Sequence, residues 1–256
     1  MRPRAATLAV FFVNGAVVGT WIASIPGIKS SLSASATEIG LVLLGAAFGS
    51  LLAQQVTGQL LMRRSSRGIL VASALVLPWL VPLPVMAPDL ATLALALFVF
   101  GYVNSTMDVA MNAHGLALET GGGRSILSGL HAGWSLGAFG GALGMATAVA
   151  LGFGAVAEAL MAAGVLWLVA LLASRSLGTG SVRTAGASGV HRPSRRALPV
   201  ALLIIPVAFV AGGIADWGGV YLRQGAGSSA EVAAFAFAAY SLGLFLGRSA
   251  GDLIKD

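Results

Sequence analysis

Long uncharged, apolar stretches alternate with short polar ones along the whole chain. The uncharged runs extend over 5–28, 39–62, 68–88, 90–107, 125–157, 159–174, 197–215 and 232–247. Most approach the ~20 residues that carry an α-helix across ~30 Å of hydrocarbon at ~1.5 Å per residue. With one helix and a short turn in the longest run, and Asp108 and Asp216 admitted inside helices, the pattern predicts eight spans. Their cores lie at 6–26, 39–61, 69–87, 91–113, 126–149, 155–173, 198–222 and 232–250. Helices of a soluble protein carry a polar face, and these segments lack one. The expected class is an all-α membrane protein of about eight transmembrane helices. Pro78, Pro82 and Pro84 predict a kink in the third span, tolerated where neighbours satisfy the freed carbonyls.

Composition agrees: of 256 residues, 57% are apolar and 9% charged, against about 25% charged in soluble domains. The net charge of +6 would suit nucleic acid, but the basic residues sit between the spans. With the N-terminus cytoplasmic, thirteen fall inside, and only Lys29 and Arg223 fall outside. That is a strong positive-inside bias and places both termini in the cytoplasm of a bacterial inner membrane. Residues 1–25 begin with Arg2 and Arg4, as a signal peptide would, but the apolar stretch is too long for one. No cysteines and three scattered histidines leave no metal signature, and phosphate-loop and dinucleotide motifs are absent, so no cofactor is expected. Ser128 and His131 share one helix, and neither Asp108 nor Asp216 has protease-like flanks, so the sequence does not read as an enzyme.

The longest polar segment, 174–197, is rich in Gly, Ser, Thr and Arg, the composition of a flexible basic linker. It divides six helices (1–173) from two (198–256). Ser35 to Glu38 and Ser228 to Glu231 open the second and eighth spans, each reading as a capping box and together suggesting a repeat.

Gly58, Arg63 and Arg67, after the second span, match the glycine and two basic positions of a loop motif of the major facilitator superfamily. Met62 stands at its aspartate and Ser65 at its second glycine. Gly247, Arg248, Gly251, Asp252 and Asp256 resemble the echo of that motif after helix eight. The chain thus resembles that superfamily, whose twelve helices form two six-helix halves. The likeness implies a complete first half, helices seven and eight of the second, and none of the last four. Within it, Asp108 with Asn112, the run His131 to Gly137, and Asp216 with Trp217 are similar to the fucose-permease-like branch of proton-coupled sugar transporters. That branch has a further acid in its first helix, where residues 20–26 offer none.

The residues themselves point to a cavity. An ionised carboxylate deep in the bilayer is costly unless paired, protonated or hydrated, so Asp108 should face solvent or a structural partner. Asn104, Asp108 and Asn112 follow at i, i+4, i+8 and stack along one helical face. On the fifth span Ser128, His131, Trp134 and Ser135 lie on one side, while Gly133, Gly137, Gly140 and Gly144 form a stripe expected to pack. His131 could meet a hydroxyl, a proton or a neighbouring helix, and Trp134 could stack on a sugar ring. Asn14 and Trp21 on the first span are further cavity candidates. Asp216, near the outer end of its helix, is a gate or an interfacial group. The likeness adds Gly58, Arg63, Arg67 and Arg248 as gating positions.

The expected function is secondary active, proton-coupled transport of a small sugar-like polar solute by alternating access. The competing expectation is a truncated remnant or a membrane interaction protein. Expected partners are the solute, protons, lipid and either missing C-terminal helices or a second copy, with no nucleic acid.

Overall fold

The computed structural model describes residues 1–122, 125–178 and 197–255. Among them the structure is helical, without strands: α1 (Pro3–Ser31), α2 (Ala36–Arg63), α3 (Ser66–Val76), a 3-10 turn (Leu77–Leu80), α4 (Pro82–Val85), α5 (Leu90–Gly122), α6 (Leu127–Ala150), α7 (Ala155–Ser174), α8 (Ala197–Val220), a π turn (Tyr221–Gly225) and α9 (Ala230–Lys255). The expected linker lies outside the described residues from 179 to 196, as do Arg124 and Asp256.

Among the described residues, seven stretches are long and apolar enough to cross a membrane: Pro3–Ser31, Ala36–Arg63, Ser66–Val85, Leu90–Gly122, Ala155–Ser174, Leu202–Gly225 and Ala230–Ser249. The remaining expected span, α6, forms a 24-residue helix but falls outside that set. Its glycines, with Ser128, His131 and Ser135, trade hydropathy for close packing. The proline-rich third span is broken as expected, changing to 3-10 geometry over Leu77–Leu80 and resuming at Pro82.

The first expected capping box forms in full: Ser35 Oγ accepts from the Glu38 amide at 3.2 Å, and Glu38 Oε2 accepts from the Ser35 amide at 2.8 Å. The second is corrected. The helix starts one residue later than a Ser228–Glu231 box requires, so Ser229 Oγ instead accepts from the Val232 amide at 3.4 Å, while the Ser228 amide donates to the Leu222 carbonyl at 2.9 Å. That phase shift puts Glu231 one position too early to complete the reciprocal pair.

α1 is the most enclosed helix and packs along α6, while α2 packs along α5 and α9 covers another side of α6. The α1–α6 contact is a backbone mesh. A methyl group at Gly15 would overlap the Trp134 carbonyl, one at Gly137 the Phe12 carbonyl, and one at Gly141 the Ala16 carbonyl. The packing stripe is therefore Gly133, Gly137 and Gly141 rather than the expected Gly133, Gly137, Gly140 and Gly144. Gly140 and Gly144 turn instead toward a side crevice. Across helices with no hydrophobic drive toward one another, such close approach supplies the dispersion contact.

The start of α6 is capped from another helix. Glu119, in the last turn of α5, accepts from the amides of Ile126 at 2.7 Å and Leu127 at 3.0 Å. Its far end closes with Gly152 at φ +75°, with the Phe153 amide on the Ala148 carbonyl and the Gly152 amide on Val149. α8 touches the rest mainly near its second end, where Trp217 meets Gly40 of α2. Residues 202–210 are bare, with Phe209 82% exposed.

Candidate functional site

α1, α5, α6 and α9 bring polar side chains together inside an apolar bundle. Asn14 lies ~16 Å along α1 from Pro3 and is 1% exposed. Its Nδ2 donates to Asn104 Oδ1 on α5 at 3.1 Å, and its Oδ1 accepts from Trp134 Nε1 on α6 at 2.7 Å. One amide therefore fixes the relative position of three helices, and its burial is tolerable because it has both partners.

The indole held by Asn14 carries a cation on its face. The Arg248 guanidinium of α9 stands 5.7 Å from the Trp134 ring centre. Its Nη1 donates to Ser135 Oγ at 2.6 Å and to the His131 carbonyl at 3.3 Å. Arg248 is half-buried and points into the bundle rather than toward the nearby helix end. Ser135 is fully enclosed and donates to the His131 carbonyl at 3.2 Å. The chain Asn104, Asn14, Trp134, Arg248, Ser135 is thus continuous across four helices.

Asp108 lies one turn below Asn104 on α5, on the side of the termini. Its carboxylate is exposed, and Asn112 Nδ2 donates to it at 3.2 Å and to its backbone carbonyl at 2.9 Å. The same face of α5 is closed at Leu93 and Leu97, half-open at Asn104 and open at Asp108 and Leu116. A solute arriving from that end would meet the carboxylate first, then the amide of Asn104. The strip offers a carboxylate acceptor pair and amide donors, which is chemistry for hydroxyls or other neutral polar groups.

Other sequence candidates have different surroundings. Trp21 is 6% exposed and packs with the apolar core, its ring 6.1 Å from Phe100, so it stands apart from the polar chain. The His131 imidazole meets Phe11 edge-on at 5.4 Å, and it is the backbone carbonyl of His131 that joins the network. Asp216 is half-buried on α8. Gly58 and Arg63 are exposed. Arg67 is tied to the end of α7, donating to the Ser174 carbonyl at 3.4 Å. These positions therefore do not converge on the Asn14 hub.

Sequence reasoning missed several polar contacts. Thr20 Oγ1 donates to the Gly141 carbonyl at 3.4 Å, Ser66 Oγ lies 3.4 Å from His114 Nδ1, and Glu158 is enclosed on α7. A lone glutamate at the start of a span reads as interfacial; only the tertiary packing reveals its enclosure.

No protein-family model matches the sequence. An uncharacterised MFS-type transporter of Yersinia pestis is 31% identical over 98% of this chain and 65% of its own length. An uncharacterised transporter of Sinorhizobium fredii, y4wD, is 30% identical over 98% of this chain and 67% of its own. The chain belongs to the major facilitator superfamily. The membrane protein MosC of Rhizobium meliloti is 30% identical over 96% of this chain and 60% of its own length. The fold also matches the crystal structure of the nucleoside transporter NupG in its D323A form, with a TM-score of 0.68 at 12% identity over 99% of this chain and 66% of that one. The chain thus spans 60–67% of the length of these relatives. Two of the three are named as transporters.

Proposed function

We propose that this chain forms part of a proton-coupled secondary transporter of a small, neutral, sugar-like solute in the bacterial inner membrane, working by alternating access with both termini cytoplasmic. The chief support is the polar chain in which Asn14 hydrogen-bonds Asn104 and Trp134, the Arg248 cation stands over the Trp134 ring, and Arg248 donates to Ser135. It joins α1, α5 and α6, from the six-helix half at 1–173, to α9 of the segment at 198–256. A solute that displaced Arg248 from Ser135 would loosen the contact between the two parts, which is the differential binding that alternating access requires. Asp108 is the coupling acid on this reading, since an acid within a span, beside the amide of Asn112, can take up and release a proton once solvent reaches it. NupG is named for nucleosides; that cargo enters only as one class to test, alongside monosaccharides and polyols.

The test is uptake into proteoliposomes carrying an imposed proton gradient, screened over those three solute classes. Uptake by the parent protein, its loss in Asp108→Asn, and persistence of solute exchange without the gradient in that variant are expected. Gradient-driven uptake unaffected by Asp108→Asn would overturn the coupling role, and failure of every solute class would overturn the substrate class.

A further inference from the structure

A second site lies on the opposite side of α6 from α9. Between α1, α6 and α7 runs a crevice of about 600 Å³. Its rim carries Leu151, Phe153, Met161 and Val165, all more than half exposed and apolar, so in a membrane it opens sideways into lipid. Its back wall is α6 at Gly140 and Gly144, where missing side chains leave the space.

One charged group lines this crevice. Glu158 is 7% exposed, and its Oε2 is enclosed without a hydrogen-bond partner. Oε1 faces Gly144, where a Cβ would stand in contact with it at 3.4 Å. Glu158 lies three residues past Ala155, ~4.5 Å into α7 by helical rise, which puts it at headgroup level on the side away from the termini. An enclosed carboxylate lacking a donor is costly in so apolar a setting, and an ammonium group with N–H donors would offset that cost.

We propose that the crevice binds an amine-headed phospholipid of the leaflet opposite the termini, its ammonium on Glu158 and its acyl chain along the glycine wall. Apolar rim, lateral opening, interfacial depth and a single acceptor charge all match that molecule. An anionic headgroup would be repelled, and a quaternary one has no N–H to donate. The site is independent of the polar chain on α5 and of any transported solute.

The experiment is native mass spectrometry of the delipidated chain in detergent, offered phosphatidylethanolamine, phosphatidylcholine and phosphatidylglycerol of matched acyl chains. Retention of phosphatidylethanolamine at least several-fold above the other two is expected, with that preference lost in Glu158→Gln. Gly140→Leu provides a second variant. A Cβ there meets only the Phe12 ring at 3.8 Å, so the larger side chain fills the crevice while Glu158 stays, and retention should again fall. Circular dichroism and gel filtration establish that each variant is folded. Equal retention of all three lipids, as a permanently neutral acid would give, overturns the proposal. So does a preference that survives both variants, or retention of hexadecylamine without phosphatidylethanolamine, which would assign the crevice to free amphiphiles.

Discussion

At the scale of single residues, the structure turns on side chains that have no alternative partner. Asn14 uses its carbonyl and its amide at once, so Trp134→Phe leaves Oδ1 without its donor in a dry interior. The expected cost is ~1–3 kcal/mol, read as a lower detergent-melting midpoint, and Asn14→Leu in the same background should recover part of it by removing the stranded group. Should the two losses simply add, the hydrogen bond has no energetic weight. Arg248→Lys separates charge from geometry: it retains a cation but loses the planar stack on the indole. Trp134 fluorescence should change in Arg248→Lys and Arg248→Ala alike if the stacked plane matters, and only in Arg248→Ala if charge alone does. Asn104, Asp108 and Asn112 were readable as one face because helical spacing is fixed by backbone geometry. That Asn14 meets Asn104 and Trp134 was not readable, since 120 residues separate the indole from its acceptor.

Elements are held by caps and by close backbone approach. Glu119 terminates α5 and starts α6, so Glu119→Ala should free the first amides of α6 and cost about 1 kcal/mol or more. Faster hydrogen exchange at Ile126 and Leu127, with α2 unaffected, would check it. At the start of α5, the Thr92 amide donates to Asp89 Oδ1 at 2.8 Å and holds that exposed carboxyl below its usual range. A depressed carboxyl stabilises above its unfolded pKa and loses that contribution as pH falls through its folded value. Protection of the Thr92 amide should therefore decline only in strong acid, and Asp89→Ala should lack that protection at neutral pH. The glycine mesh is less forgiving: Gly141→Leu would press against the Ala16 carbonyl and force α1 from α6. Loss of the monodisperse species on gel filtration is the expected result, whereas Gly58→Leu, with open space around it, should be tolerated. Sequence spacing suggested a glycine stripe but placed half of it on the wrong side, because periodicity gives a face and not the neighbour that covers it.

For the whole molecule, the absence of cysteine makes topology directly testable. In intact cells a membrane-impermeant maleimide should label Ser228→Cys, while Ser176→Cys should react only after permeabilisation; the opposite pattern would invert the proposed orientation. Helical class, the approximate spans, the broken third helix and the polar face of α5 follow from the sequence alone. Each depends on local spacing, backbone geometry or the cost of polar groups in hydrocarbon, which act over neighbouring residues. Tertiary packing alone decided that Asn14 joins three helices, that Arg248 leaves its helix end for Trp134, that Trp21 belongs to the core, and that Glu158 is enclosed beside glycines. Those outcomes depend on which faces meet and how closely backbones approach, and such distances between remote segments are not encoded in any local pattern.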